Sequence, residues 1–142
     1  MEKESIEFVW FNDNRIYIKT NLGETLSQPL EVFPALFLAS EEQREGYEIW
    51  DDGQSISWEE LDEDIHISHF HEVETVNYDN EVNRLLSRFP FLDMKAFARH
   101  IGMHWTKLAR FRYGVWTPSP EAIAKIKNGI EYIKKEMSAA VL

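Results

Sequence analysis

Residues 93–119, DMKAFARHIGMHWTKLARFRYGVWTPS, read as two helices and the turn between them. Asp93 stands where a carboxylate caps a helix N-terminus, and Phe97, Ala98 and Ile101 follow on one face until Gly102 stops the helix. A second helix is expected from about His104 to Tyr113, with Leu108 and Phe111 inward and Gly114 as its stop. Ser119 then acts as N-cap and Pro120 occupies the first turn of a further helix. Its apolar stripe, Ile123, Ile126, Ile130, Ile133 and Met137, alternates spacings of three and four.

Working outward, Val82, Leu85, Leu86 and Phe89 form the apolar face of one more helix, ended by Pro90. Upstream, Glu72–Asp79 has little periodic apolar patterning, and before it the period is 2 rather than 3.6. The domain boundary is therefore placed there, giving domains 1–79 and 80–142. In the first half, Ile6 to Phe11 and Arg15 to Thr20 alternate apolar and polar residues around Asn12-Asp13-Asn14, which predicts a β-hairpin. A third extended stretch, Glu24 to Gln28, is ended or placed on an edge by Pro29. Ser40 to Gln43 has the spacing of a capping box, and Tyr47–Trp50 with Ser55–Trp58 predicts a second hairpin around Asp52-Gly53. The first domain is thus expected to be α+β, with a mainly antiparallel sheet and short helices.

Charge follows the same division. Residues 1–79 carry four basic side chains against 20 of the 25 acids, a net of −16, while residues 80–142 carry 11 basic against five acids, a net of +6. A basic module suits a polyanion and an acidic one does not. With no cysteine in the chain, disulfides, thiol nucleophiles and cysteine-based zinc sites are excluded. The first residues are charged with no apolar stretch behind them, and no window approaches the roughly 18 apolar residues that span a bilayer. A cytoplasmic protein, without membrane association, is the expectation.

The quoted stretch resembles the helix-turn-helix of the phage-repressor family, the Cro-like or xenobiotic-response-element group, over roughly residues 80–133. Ala98 takes the small site where the two helices cross, Gly102 the turn, Leu108 the buried aliphatic, Phe111 the usual aromatic, and Gly114 the helix end. Pro118-Ser119 matches the start of the next helix. The resemblance implies an all-α, lambda-repressor-like domain whose third helix enters the major groove of double-stranded DNA, with a homodimer reading two half-sites. Its outward face would be His104, Trp105, Thr106, Lys107, Ala109 and Arg110. Arg110 would pair bidentately with guanine, Thr106 would touch a base edge or a thymine methyl, and Lys107 and Lys95 would meet phosphates. Arg112 and Tyr113, at the helix end, are also backbone candidates. Trp105 and Met94 stand where the family often has glutamine, and Arg112 where it often has glutamate, so Trp105 either packs or contacts DNA.

The first half resembles the family called domain of unknown function 2442. The likeness rests on PALFLASEEQREGYEIWDDGQSISWEELDEDI, residues 34–65, through Pro34, Leu36, Ala39 to Arg44, Gly53, Ile56, Trp58 and Leu61 to Ile65. It implies architecture and, because some members sit beside a partner in proposed toxin–antitoxin pairs, a possible protein partner at the acidic domain. It implies no functional residue.

Two other constellations carry titratable side chains. Glu59, Glu60, Asp62, Glu63 and Asp64 offer paired carboxylates, but they lack a neighbouring base or Gly-rich phosphate loop and read as a solvated or partner-binding face. In an extended stretch His69 and His71 would share one face and His66 the other, so ligating a metal through all three needs a bend. No catalytic residue, metal or cofactor is expected. The chain is expected to be a DNA-binding transcriptional regulator, with an antitoxin-like interaction module as the alternative.

Overall fold

Asp13 and Asn14 both adopt left-handed backbone, φ 49° and 59°, the conformation a two-residue hairpin turn needs and that Asp and Asn tolerate. They join β1 (Ile6–Asn12) to β2 (Arg15–Thr20), with Asn12 opposite Arg15 and Val9 opposite Ile18. β3 (Thr25–Pro29) pairs with the other side of β2, completing an antiparallel sheet in the order β1-β2-β3. Directly opposed residues share a face. Val9, Ile16, Ile18 and Gln28 accordingly point inward and are buried, and a register shift between Ile6 and Phe8 keeps Ile6 inward too. The computed structural model of the protein describes residues 2–140.

After β3 come a 3-10 turn (Leu30–Val32), α1 (Pro34–Phe37) and α2 (Glu41–Glu45). Ser40 caps α2 reciprocally: Gln43 N donates to Ser40 Oγ at 3.1 Å and Ser40 N to Gln43 Oε1 at 2.9 Å. A second antiparallel sheet follows in the order β4-β5-β6, from β4 (Glu48–Trp50), β5 (Ser55–Trp58) and β6 (Glu63–His66). Ile56, Trp58 and Ile65 form its buried side, and the Trp58 indole N–H donates to the Arg44 carbonyl at 2.9 Å. The buried Gln28 amide donates to the carbonyls of His69 and Glu72 at 2.8 and 2.7 Å, so this polar group enters the core with its donors satisfied.

The acidic run stays on the surface, with Glu59, Glu60, Asp62 and Asp64 exposed and Glu63 half-buried, although Glu63 and Asp64 belong to β6. The histidine stretch is not extended. His66 ends β6, while His69 and His71 lie in a 3-10 turn, Ile67–His71, that buries Ile67 and Phe70. His71 Nε2 sits 2.6 Å from Glu4 Oε1, His69 Nδ1 is 3.5 Å from Glu72 Oε1, and His66 Nδ1 is 2.9 Å from Ser68 Oγ. Each ring thus has its own separate neighbour.

The chain divides into two compact units, residues 1–76 and 77–142, so the break falls three residues ahead of Asn80. Asn77 N donates to the Tyr113 carbonyl at 2.9 Å and Tyr78 packs edge-on against Tyr113, which draws this segment into the second unit. There the described residues form α3 (Glu81–Leu86), α4 (Met94–His100), α5 (Trp105–Tyr113) and α6 (Pro120–Ala139), with no strand. Each has a side chain capping its first turn: Asn80, Asp93, His104 and Ser119 accept from the amides of Asn83, Ala96, Thr106 and Ala122. The core joins Val82 and Leu86 of α3, Phe97 and Ala98 of α4, Leu108 and Phe111 of α5, and Ala122 and Ile126 of α6. Among the described residues no helix is long and apolar enough to cross a membrane.

Candidate nucleic-acid interface

Ala98 and Leu108 are both fully buried, which lets α4 and α5 pack closely across the turn between them. Met103 N reaches back to the Ala98 carbonyl at 2.9 Å, and Gly102, at φ 72°, carries the reversal. His104 opens α5. Its Nδ1 accepts from the Thr106 amide at 3.2 Å and lies 2.7 Å from the Thr106 hydroxyl, so Thr106 is fixed to the cap. At the other end Gly114, at φ 74°, terminates the helix; a Cβ there would collide with the Asn77 carbonyl, leaving room for glycine alone.

Between those ends the side chains divide by exposure. Lys107, His104 and Lys95 are exposed, while Thr106 and Arg110 are half-buried. Thr106, Lys107 and Arg110 recur at helical spacing and form one outward stripe along α5. Ala109 is 0% exposed, so its expected place on the outward face is corrected: α5 packs against α3 as well as α4, and this side is covered. Tyr113 is only 5% exposed beneath Tyr78, which removes its ring from the surface expected to meet a backbone. Arg112 turns the same way, its Nε donating to Asn83 Oδ1 at 3.2 Å and its carbonyl accepting from Asn80 Nδ2 at 2.9 Å.

Trp105 is half-buried and packs on the core. Its outer ring is not idle, since Lys95 Nζ lies 4.6 Å from the ring centroid and links α4 to α5. A matching arrangement occurs at the far end, where Arg110 Cζ lies 4.7 Å from the ring centroid of Trp116. Trp116 had no assigned role in the sequence. The signal was an aromatic residue just past the helix-ending glycine, whose meaning depends on the chain folding back there. Residues 94–120 contain no Asp or Glu, so these cations have no acid in the same segment. Among the described residues no group of three or more His, Asp or Glu side chains is arranged to hold a metal ion.

Residues 6–70 match the family described as a protein of unknown function, DUF2442. The resemblance expected for the N-terminal half is therefore shown. The residues that carry it are largely core residues, with Pro34, Leu36, Gly53, Ile56, Trp58 and Ile65 all buried. No curated protein and no solved structure matches the chain.

Proposed function

We propose that residues 77–142 are a helix-turn-helix module of the phage-repressor type and that the chain is a sequence-specific DNA-binding transcriptional regulator. One observation carries this reading. The outward stripe of α5 presents Thr106, Lys107 and Arg110, flanked by His104 and Lys95, within a 27-residue segment, 94–120, that holds no acid. A helix of this kind fits the major groove: Arg110 supplies paired donors for guanine, Thr106 a hydroxyl and methyl for a base edge, and Lys107 and Lys95 contacts to phosphate. Such a regulator works in the cytoplasm. The test is selection of binding sites by the whole chain from a randomised duplex pool. A shared motif is expected, and a pool with no enrichment contradicts the reading.

One recognition helix spans only a few base pairs, so the reading includes a homodimer on two half-sites about one helical turn apart. The end of α6 supports it. Ile130, Ile133 and Met137, with Phe89, Phe91 and Leu92, line an open apolar groove of about 480 Å³, and Met137 is 67% exposed. A second copy covering this groove would bury that surface.

A second reading, an antitoxin-like interaction module acting through the acidic unit, is favoured by a different surface. Trp50, 54% exposed, stands with Glu48, Glu59, Asp62 and Asp64 around a shallow depression. An aromatic ring amid carboxylates suits a basic protein partner. Stable co-purification with the product of an adjacent gene, lost in Trp50→Ala, supports this reading; its absence alongside operator binding supports the first.

A further inference from the structure

β4 differs from every other strand among the described residues. Glu48, Ile49 and Trp50 are all exposed, whereas each of the other strands buries at least one side chain. It ends its sheet, paired with β5 on one side and with no strand on the other. Its outer backbone edge is therefore left without a partner strand, the arrangement to which an extended chain can add. Because directly opposed residues share a face, the rows across the sheet state what such a chain must carry. On the inner face Ile65, Ile56 and Ile49 stand in one row. The first two are fully buried and Ile49 is 40% exposed, so the row ends uncovered at β4. On the outer face run Asp64, Ser57 and Glu48, and beside them His66, Ser55 and Trp50. Glu48, Glu59, Asp62 and Asp64 stand around the Trp50 depression, and among the described residues none of these four acids is in an ion pair.

We propose that β4 receives an extended basic segment of a partner protein by strand addition. An added residue beside Ile49 faces the core side and is apolar. Its two neighbours face outward beside Glu48 and Trp50 and are lysine or arginine, which meet carboxylates and an indole there. The segment thus alternates basic and apolar residues. β4 is short, so main-chain pairing gives only a few hydrogen bonds, and the covering of Ile49 and the charge pairing supply the rest. A second copy is the poorer occupant, since residues 1–79 carry a net −16 and two such units repel. Glu48 acts in the same sense, blunting the edge against acidic strands while favouring a cation. The inference rests on the reading of this surface as the seat of a basic partner, adds that partner's conformation and pattern, and is independent of DNA binding by the second unit.

The experiment titrates the full chain into a short, end-blocked peptide alternating Lys and Val, followed by fluorescence anisotropy and by hydrogen exchange of the β4 amides. Three further peptides separate the contributions: one with glutamate in place of lysine, and two N-methylated, at the lysines in one and at the valines in the other. An added strand turns only every second amide toward its neighbour, so one methylated peptide is expected to lose about tenfold or more in affinity and the other to bind nearly as the parent does. The β4 amides that face away from β5 gain protection, the glutamate peptide does not bind, and Glu48→Lys weakens the parent peptide at an unchanged melting temperature. Equal affinity of the two methylated peptides, or no added protection in β4, would mean attraction by charge alone; strand addition then falls while the basic-partner reading stands. Protection of those amides in the chain without peptide would make a second copy the occupant and overturn the proposal. If the parent peptide does not bind at low salt, strand addition and the basic-partner reading both fall.

Discussion

Arg110 and Lys107 are neighbours on one stripe of α5, yet their surroundings differ, and the proposed reading gives them different work. Arg110 is half-buried against Trp116, whereas Lys107 is exposed. Arg110→Ala is expected to cost about 1–3 kcal/mol on the preferred duplex and to relax one base position. Lys107→Ala should weaken all duplexes alike and flatten the salt slope by about one. Fluorescence anisotropy on selected and random duplexes checks both, and equal effects on the two would reverse the assignment. Away from this face, Lys127 Nζ lies 2.8 Å from Glu81 Oε1, joining α6 to α3. This hydrogen bond and the ammonium charge hold the Glu81 carboxyl below its ordinary value of 4.5. Since the folded value is the lower one, the linkage favours folding above the ordinary carboxylate range and is lost as pH falls through the lowered value. The carboxyl carbon resonance of Glu81 should therefore titrate below 4.5, and Lys127→Met should return it toward the ordinary value. The stripe residues were legible in the sequence because helical spacing fixes their common face. The burial of Ala109 and Tyr113 was not, because a helical wheel with one core face gives no sign of α3 and Tyr78 covering a second.

At the level of elements, the helices were legible from their ends. Asp93 and Ser119 cap α4 and α6 as their positions before apolar runs imply, and Gly114 closes α5 in the left-handed conformation. The hairpin around Asp13-Asn14 was equally plain, since two turn-forming residues separate two alternating runs. β6 was hidden for a physical reason. Of its four residues, Glu63, Asp64, Ile65 and His66, only Ile65 is buried, so one apolar side chain in a charged segment had to stand for a strand. α6 contains a different kind of constraint at Gly129, which is buried in mid-helix. A Cβ there would come within 2.5 Å of Ile101 Cγ2 and 2.9 Å of Phe97 Cζ. Alanine would ordinarily favour a helix over glycine by about 1 kcal/mol, but the Phe97 ring is held in the core. Overpacking should win, so Gly129→Ala is expected to destabilise the protein by about 1–3 kcal/mol. Urea unfolding followed by circular dichroism would measure it, and an unchanged or raised midpoint would show that the α4–α6 contact yields easily.

For the whole molecule, charge is the property that the sequence states most directly, −16 over residues 1–79 against +6 over residues 80–142. Structure adds where to cut. Asn77 and Tyr78 hold Tyr113 in place, so a fragment that keeps the second unit intact begins at Asn77. Assembly was less legible. Met137 continued the apolar stripe in the sequence, and only the fold shows its side chain left exposed beside Phe91. If a second copy covers that groove, sedimentation of the intact chain should give a dimer, and Met137→Lys with Ile133→Lys should give a monomer that keeps non-specific DNA affinity and loses the second half-site. A strict monomer binding one short asymmetric site tightly would rule this assembly out. Attraction of the basic unit to phosphate is opposed by the acidic unit only where acids are held close, because screening acts over about 8 Å at physiological salt. The most direct test of DNA binding is fluorescence anisotropy of the 77–142 fragment and the intact chain on a random duplex across a salt series, with circular dichroism confirming that the fragment is helical. The fragment is expected to bind at least as tightly as the intact chain, both weakening steeply as salt rises; a helical fragment with no affinity for the duplex at low salt would contradict the account.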